Sequence, residues 1–305
     1  MKGVVMRSTG SFYDVLAANG ARYTCRVRGK IRLEGIKETN PVAVGDRVMF
    51  DETNDTGNIT EILPRDNHIL RKSVKKTGHS HVLAANVDQV LLVVTLAFPR
   101  TSLGFIDRFL VSAESFRIPQ IIVFNKKDLL DEESLADVNA LIELYTAIGV
   151  TCFSISATID EDVSSLTKAL QNKITLVAGH SGVGKSTLLN RISPDIEQAV
   201  GEVSSFSKKG VHTTTFAEMF QIGENTFVID TPGVKELGLV DMTSQEISDY
   251  FPEMRDVRLD CKFGSRCIHV NEPGCAIIAA VENGTIAFSR YENYISMVLD
   301  EDNRK

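Results

Sequence analysis

The stretch Ile174-Thr175-Leu176-Val177-Ala178-Gly179-His180-Ser181-Gly182-Val183-Gly184-Lys185-Ser186-Thr187 decides the fold. Its first five residues are a short apolar run, Gly179 to Ser186 match GxxxxGK[ST], and a helical pattern opens at Lys185. Strand, glycine loop and helix in that order are the context in which this pattern holds phosphate. Glycines let backbone N–H groups converge on phosphate oxygens, and the helix N-terminus adds the positive end of its dipole. Residues Gly179, His180, Ser181, Gly182, Val183, Gly184, Lys185, Ser186 and Thr187 are therefore predicted to cradle a nucleotide. In that role Lys185 neutralises the β and γ phosphates, and Ser186 places its hydroxyl on Mg²⁺.

On either side of this stretch, apolar strands alternate with helices. Strands near 87–96, 120–125, 152–156 and 174–179 precede helical patterns at 105–116, 134–149, 162–172 and 185–192. This grammar predicts an α/β domain with a parallel-rich sheet covered on both faces. Two more strands, near 215–222 and 226–230, complete it.

The phosphate loop alone does not choose between ATP and GTP. Asn125-Lys126-Lys127-Asp128 closes the strand Ile121-Ile122-Val123-Phe124 and matches NKxD. A carboxylate at Asp128 can accept from guanine N1–H and the 2-amino group, donors that adenine does not present together. Asn125 would contact N7, and the stem of Lys126 would lie over the ring. Ser156-Ala157 resembles the loop whose backbone N–H meets guanine O6. Asp230-Thr231-Pro232-Gly233 matches DxxG, with Asp230 reaching Mg²⁺ through water and the Gly233 N–H placed for the γ-phosphate. Thr213, Thr214 and Thr215 offer a further Mg²⁺ ligand, with Thr214 favoured. A phosphotransferase acting on a small metabolite is the rival reading, but no acceptor base stands out.

The first sixty residues read differently, as short strands near 3–7, 11–16, 23–28, 44–51 and 58–63, broken by Asn19-Gly20, Pro41, Gly45-Asp46 and Thr56-Gly57. Five strands at this spacing predict a small OB-type barrel, a fold that commonly binds oligonucleotides. Residues 1–81 carry fourteen basic against nine acidic side chains, whereas 82–305 carry nineteen against thirty-one. Arg22, Arg26, Arg28, Lys30, Arg32 and Lys37 concentrate that charge, and the asymmetry points to an anionic partner at the front end. Residues 65–85, with Arg65, Arg71, Lys72, Lys75 and Lys76, read as a mobile basic linker without periodicity.

At 305 residues, 43% hydrophobic and 24% charged, the chain has ordinary globular composition and room for two or three domains. The apolar run 90–97 falls short of the roughly 18 residues a membrane span needs. The first residues lack a signal-peptide pattern, so a cytoplasmic protein without membrane contact is expected. Five cysteines argue against a disulfide framework, and Cys261, Cys267, His269 and Cys275 cluster with the donor set of a closed structural zinc site, one per chain. Cys25 and Cys152 read as core residues.

In an ordinary GTPase the phosphate loop precedes the switch threonine, DxxG, NKxD and SA. Here the order is NKxD, SA, phosphate loop, threonine, DxxG, a circular permutation. Together with Ala85-Asn86-Val87-Asp88-Gln89, His212-Thr213-Thr214, the front barrel and the cysteine cluster, this order resembles the ribosome small-subunit-dependent GTPase A family over essentially the whole chain. The resemblance implies a circularly permuted P-loop GTPase domain (86–242) flanked by an N-terminal OB-fold RNA-binding barrel (1–64) and a C-terminal helical zinc-binding domain (243–305). It also implies a late-acting assembly factor that hydrolyses GTP to GDP on the small ribosomal subunit and its rRNA. The motifs demand no self-association, and a monomer is expected. After DxxG comes Val234, which cannot orient a water, so His212 is the nearest group able to do so, and the resemblance points to it as well.

Overall fold

The computed structural model describes residues 1–27, 41–52, 56–72, 80–159, 163–193, 217–230 and 242–300. Its centre is β8 (Gln89–Val94), all six of whose residues are buried, the pattern of a strand covered on both faces. Around it lie β9 (Gln120–Phe124), β10 (Thr151–Ser154), β11 (Ile174–Ala178), β12 (Glu218–Gly223) and β13 (Thr226–Asp230), in the spatial order β10-β9-β8-β11-β13-β12. The first five run parallel and β12 is antiparallel. Helices α1 (Leu103–Glu114), α2 (Glu132–Ala147), α3 (Ser164–Leu170) and α4 (Lys185–Ile192) follow β8, β9, β10 and β11. Two apolar cores result, one around Leu92, Phe109 and Tyr145 and another around Leu91, Val177 and Leu188. Strand ends carrying the predicted motifs therefore fall on one edge of the sheet, where such folds bind ligands.

The front end is a barrel: β1 (Lys2–Ser8), β2 (Tyr13–Ala17), β3 (Arg22–Val27), β5 (Gly57–Ile62) and β4 (Arg47–Asp51) pair in that order and close through β1 with β4. Alternation in β2 and β4 sends Val15, Val48 and Phe50 inward with Val5, Cys25 and Ile59. Cys25 is fully buried here, and burial pushes its thiol up to about 11. Residues 28–40, which carry much of the basic run, lie outside the described residues.

The described residues of the expected mobile linker, 65–72 and 80–85, are ordered instead: β6 (His68–Lys72) pairs antiparallel with β7 (Ser80–Ala85), and Ile69 and Ala84 enter the main core beside Met6 and Val44 of the barrel. Two apolar anchors among many charges leave little periodicity in the sequence, and the contacts around them are polar. Arg65 is spent in a buried ion pair with Asp46 at 2.7 Å rather than on phosphate. Asn86 donates to the Gly45 carbonyl at 2.9 Å and accepts from Arg47 and the Asp66 amide. The barrel sheet is also continuous with the parallel sheet through Arg7 of β1, opposite Glu218 of β12.

After residue 241 the chain is helical: α5 (Ser244–Asp249), α6 (Pro252–Arg255), α7 (Ala276–Glu282) and α8 (Phe288–Val298). Thr243 and Glu246 form a capping box that starts α5. This bundle docks on α1 through a buried network. Asp107 of α1 accepts from Arg290 and Asn293 of α8 and from Tyr145, while Arg290 also reaches Glu253 at 2.7 Å.

Candidate nucleotide and metal sites

β9 delivers Asn125, 4% exposed, to the ligand-facing edge. Its Nδ2 donates to the Val183 carbonyl at 2.8 Å and its Oδ1 accepts the Ala157 amide at 3.0 Å. One planar group with both donors and an acceptor thereby ties the glycine loop to the Ser156-Ala157 loop. The glycine loop has no room for a side chain at this junction. Gly184 sits at φ 95°, and a Cβ there would lie 2.4 Å from Asn125 Nδ2. Gly179 sits at φ 141°, and its Cβ would meet the Val93 carbonyl oxygen at 2.2 Å.

Lys126, at φ 63°, sends its Nζ to the Phe98 carbonyl at 2.6 Å. The 3₁₀ turn Lys127–Leu129 then presents Asp128 to solvent, and the Ser156 hydroxyl donates to its carboxylate. Because the Ala157 amide is already donated to Asn125, any contact of that amide with a guanine O6 would be shared.

At the phosphate end, the Lys185 ammonium donates to the Gly179 and His180 carbonyls at 2.8 and 2.9 Å. Burial lowers the pKa of its amine, and the nearby Asp230 carboxylate offsets part of that. Asp230 ends β13 and lies opposite Val177, on the strand that feeds the loop. Ser186 and Thr187 lie in the first turn of α4, Thr187 exposed. His212, Thr213, Thr214, Thr215, Gly233 and Val234 lie outside the described residues.

In the C-terminal bundle, the ligand atoms of Cys261, Cys267, His269 and Cys275 all fall within 4.8 Å of one another, and all four residues are buried. Cys261 Sγ is 3.5 Å from His269 Nδ1 and 3.9 Å from Cys275 Sγ. Tetrahedral zinc with ordinary Zn–S and Zn–N lengths sets such ligands about 3.5 to 3.8 Å apart, so the set fits one ion. Burial pushes up the thiols of Cys267 and Cys275, a penalty that a divalent cation removes by holding thiolates.

Two family models divide the chain: the RsgA N-terminal domain matches residues 2–59 and the RsgA GTPase matches residues 62–240. The chain belongs to the RsgA GTPase family. A Bacteroides thetaiotaomicron relative, "Small ribosomal subunit biogenesis GTPase RsgA 2", is 49% identical over 100% of this chain and 98% of its own length. The crystal structure of YjeQ from Thermotoga maritima superposes with a TM-score of 0.78 at 37% identity, covering 100% of this chain and 99% of that one. YloQ, whose structure is described as that of a circularly permuted GTPase, gives 0.73 at 31% identity, covering 100% and 96%. The permuted motif order and the barrel are thus those of the RsgA GTPase fold.

Several residues at this family site escaped sequence reasoning. The Phe105 ring of α1 packs against His180 of the glycine loop, ring centroids 4.0 Å apart and planes tilted by 33°. The loop 95–101 is braced internally, the Thr101 amide donating to the Thr95 carbonyl at 2.8 Å. Glu272 accepts from the Ile268 and Val270 amides at 2.7 and 2.8 Å, which fixes the loop carrying His269. The one signal in the sequence was an acidic residue between two ligands; aromatic contacts between distant segments leave no such trace.

Proposed function

We propose that the protein hydrolyses GTP while bound to the small ribosomal subunit and acts in that subunit's biogenesis, the role carried in its relatives' name. The observation that supports the guanine assignment most directly is the Asn125 bracket, which holds Asp128, Ser156, Ala157 and the glycine loop as one unit. In this reading Asp128 accepts from guanine N1–H and the 2-amino group, Asn125 offers its other Nδ2 hydrogen to N7, and the stem of Lys126 lies along the base. Lys185 exchanges its carbonyl partners for β and γ phosphate oxygens. Ser186, Thr214 and, through water, Asp230 hold Mg²⁺, whose chemistry is to neutralise charge developing on the phosphates. The Gly233 N–H is assigned to the γ-phosphate, and His212 to orienting the attacking water on the small subunit.

Zinc at Cys261, Cys267, His269 and Cys275 has a structural role, since four protein ligands leave no open position. The barrel meets rRNA, with the domains divided near residues 64, 85 and 242. A cytoplasmic monomer suits this role.

Asp128→Asn tests the base assignment: GTP binding should fall strongly and xanthosine triphosphate should become the better ligand. Unchanged GTP affinity would remove it. Steady-state turnover with and without small subunits tests the rest, with His212→Ala expected to lose most of the stimulated rate. Deleting the barrel is a poor test of RNA contact, because Met6 and Val44 belong to the main core. Arg22→Glu with Arg26→Glu on β3 should instead flatten the salt dependence of subunit binding.

A further inference from the structure

We propose that Phe98 is a nucleotide-contacting residue, its ring closing over the sugar and base of the bound nucleotide at the Lys126 side of the guanine loop. The proposal rests on reading Asn125 to Asp128 as the base-recognition loop. Phe98 is 75% exposed, whereas Phe105, Phe109 and Phe124, on the neighbouring helix and strand, are at most 3% exposed. A lone exposed phenylalanine needs no explanation. This one is different because its backbone is held in place. It sits at φ 47°, a true outlier for a bulky side chain, and strain of this kind gathers at ligand clamps.

Three sets of contacts hold it there. The Lys126 ammonium grips the Phe98 carbonyl at 2.6 Å. Pro99 lies against Gly182 of the glycine loop, 3.5 Å from where a Cβ would stand. Thr95 and Thr101 close the base of the loop, with the Thr95 hydroxyl on the Pro99 carbonyl and the Thr101 hydroxyl accepting the Thr95 amide at 3.3 Å. The backbone that carries this exposed ring is therefore fixed where the phosphate loop and the base loop meet, in the loop that follows β8, the strand between those that lead into them. A purine presents a π-face and its ribose an apolar edge, and an aromatic ring covers either without reading the base edge. Phe98 thus contributes affinity, while Asp128 keeps selectivity.

The test is nucleotide binding by full-length Phe98→Ala, Phe98→Trp and Asp128→Asn, measured by calorimetry with GDP and GTP. Stacking of this kind predicts that Phe98→Ala weakens both ligands roughly five- to hundredfold, with the melting temperature of the free protein unchanged. Phe98→Trp should bind near the wild-type level. The natural sequence has no tryptophan, so the emission of this variant reports one position and should change when GDP saturates the site. Wild-type affinity in Phe98→Ala, or indole emission of Phe98→Trp indifferent to GDP, overturns the proposal. A wild-type GTP affinity in Asp128→Asn would instead overturn the base assignment on which it rests. If Phe98→Ala leaves nucleotide binding intact but weakens small-subunit binding, the ring serves RNA and the nucleotide role is likewise overturned.

Discussion

The nucleotide site and the Cys₃His cluster are both assembled by side chains that tie loops together, but they face solvent oppositely. Asp128 and Thr187 are exposed around a bracket built on the buried Asn125. Cys261, Cys267, His269 and Cys275 are all buried, and their donors meet one another. A ligand that must come and go needs preformed loops with an open mouth. A closed shell suits an ion that stays, and a chain built around such an ion would depend on it. Helix α1 touches the first through Phe105 on His180 and the bundle that carries the second through Asp107 on Arg290.

The contrast breaks first at the cluster. Binding free energies of about 10 to 16 kcal/mol are typical of structural zinc, so Cys267→Ser should lose the metal and the cooperative folding of residues 242–300. Elemental analysis and thermal unfolding measure this; full zinc content with an unchanged melting temperature would place the cluster in the same class as the open site. Arg290→Met comes next. It leaves Asp107 buried without its cation, and loss of one partner from such a pair costs about 3 to 5 kcal/mol. Urea unfolding should show that cost. Asp107→Asn should cost less, because Arg290 keeps Glu253.

At the open site, Asn125→Ala should leave the fold nearly intact yet weaken GDP strongly, because the Val183 carbonyl and the Ala157 amide lose their common partner. Each orphaned buried group costs about 1 to 3 kcal/mol, felt here as lost preorganisation. Calorimetry showing unchanged GDP affinity would mean that the loops hold themselves.

Legibility in the sequence followed the same division. The strand–loop–helix setting of Gly179 to Ser186 and the strand-end setting of Asn125 to Asp128 were readable because each motif is contiguous. The cysteine cluster was readable from donor type and from the closeness of the four residues in the chain. The pairing of β6 with β7 was not, since Arg65 and Asp46 satisfy each other across nineteen residues and the charges looked solvated until the fold joined them. Phe98 was hidden for a related reason: only φ and the reach of Lys126 distinguish it from an ordinary loop residue.

The smallest predicted effect sharpens the closed side. Glu272 is not a ligand, but its carboxylate accepts three amides, those of Ile268, Val270 and Asn271, and so shapes the loop that presents His269. Burial raises its pKa, while those backbone donors outweigh burial and hold it below the usual carboxylate range. In Glu272→Gln one oxygen becomes an NH₂ group that confronts a backbone N–H. Partners behind metal ligands typically matter by about 10- to 100-fold in affinity, so zinc should pass faster to a chromogenic chelator, though it stays bound at neutral pH. The pH dependence has a definite sign. A carboxylate with a lowered folded pKa stabilises fully above its unfolded value, near 4.3, and that contribution is lost as pH falls through the folded value. The melting-temperature gap between wild type and Glu272→Gln should therefore be constant from neutrality down to about pH 5 and close below it, as the wild-type side chain becomes uncharged like its replacement. A gap that persists unchanged into acid would mean that Glu272 acts through shape alone, and the loop around His269 would then owe its form to packing rather than to its amides.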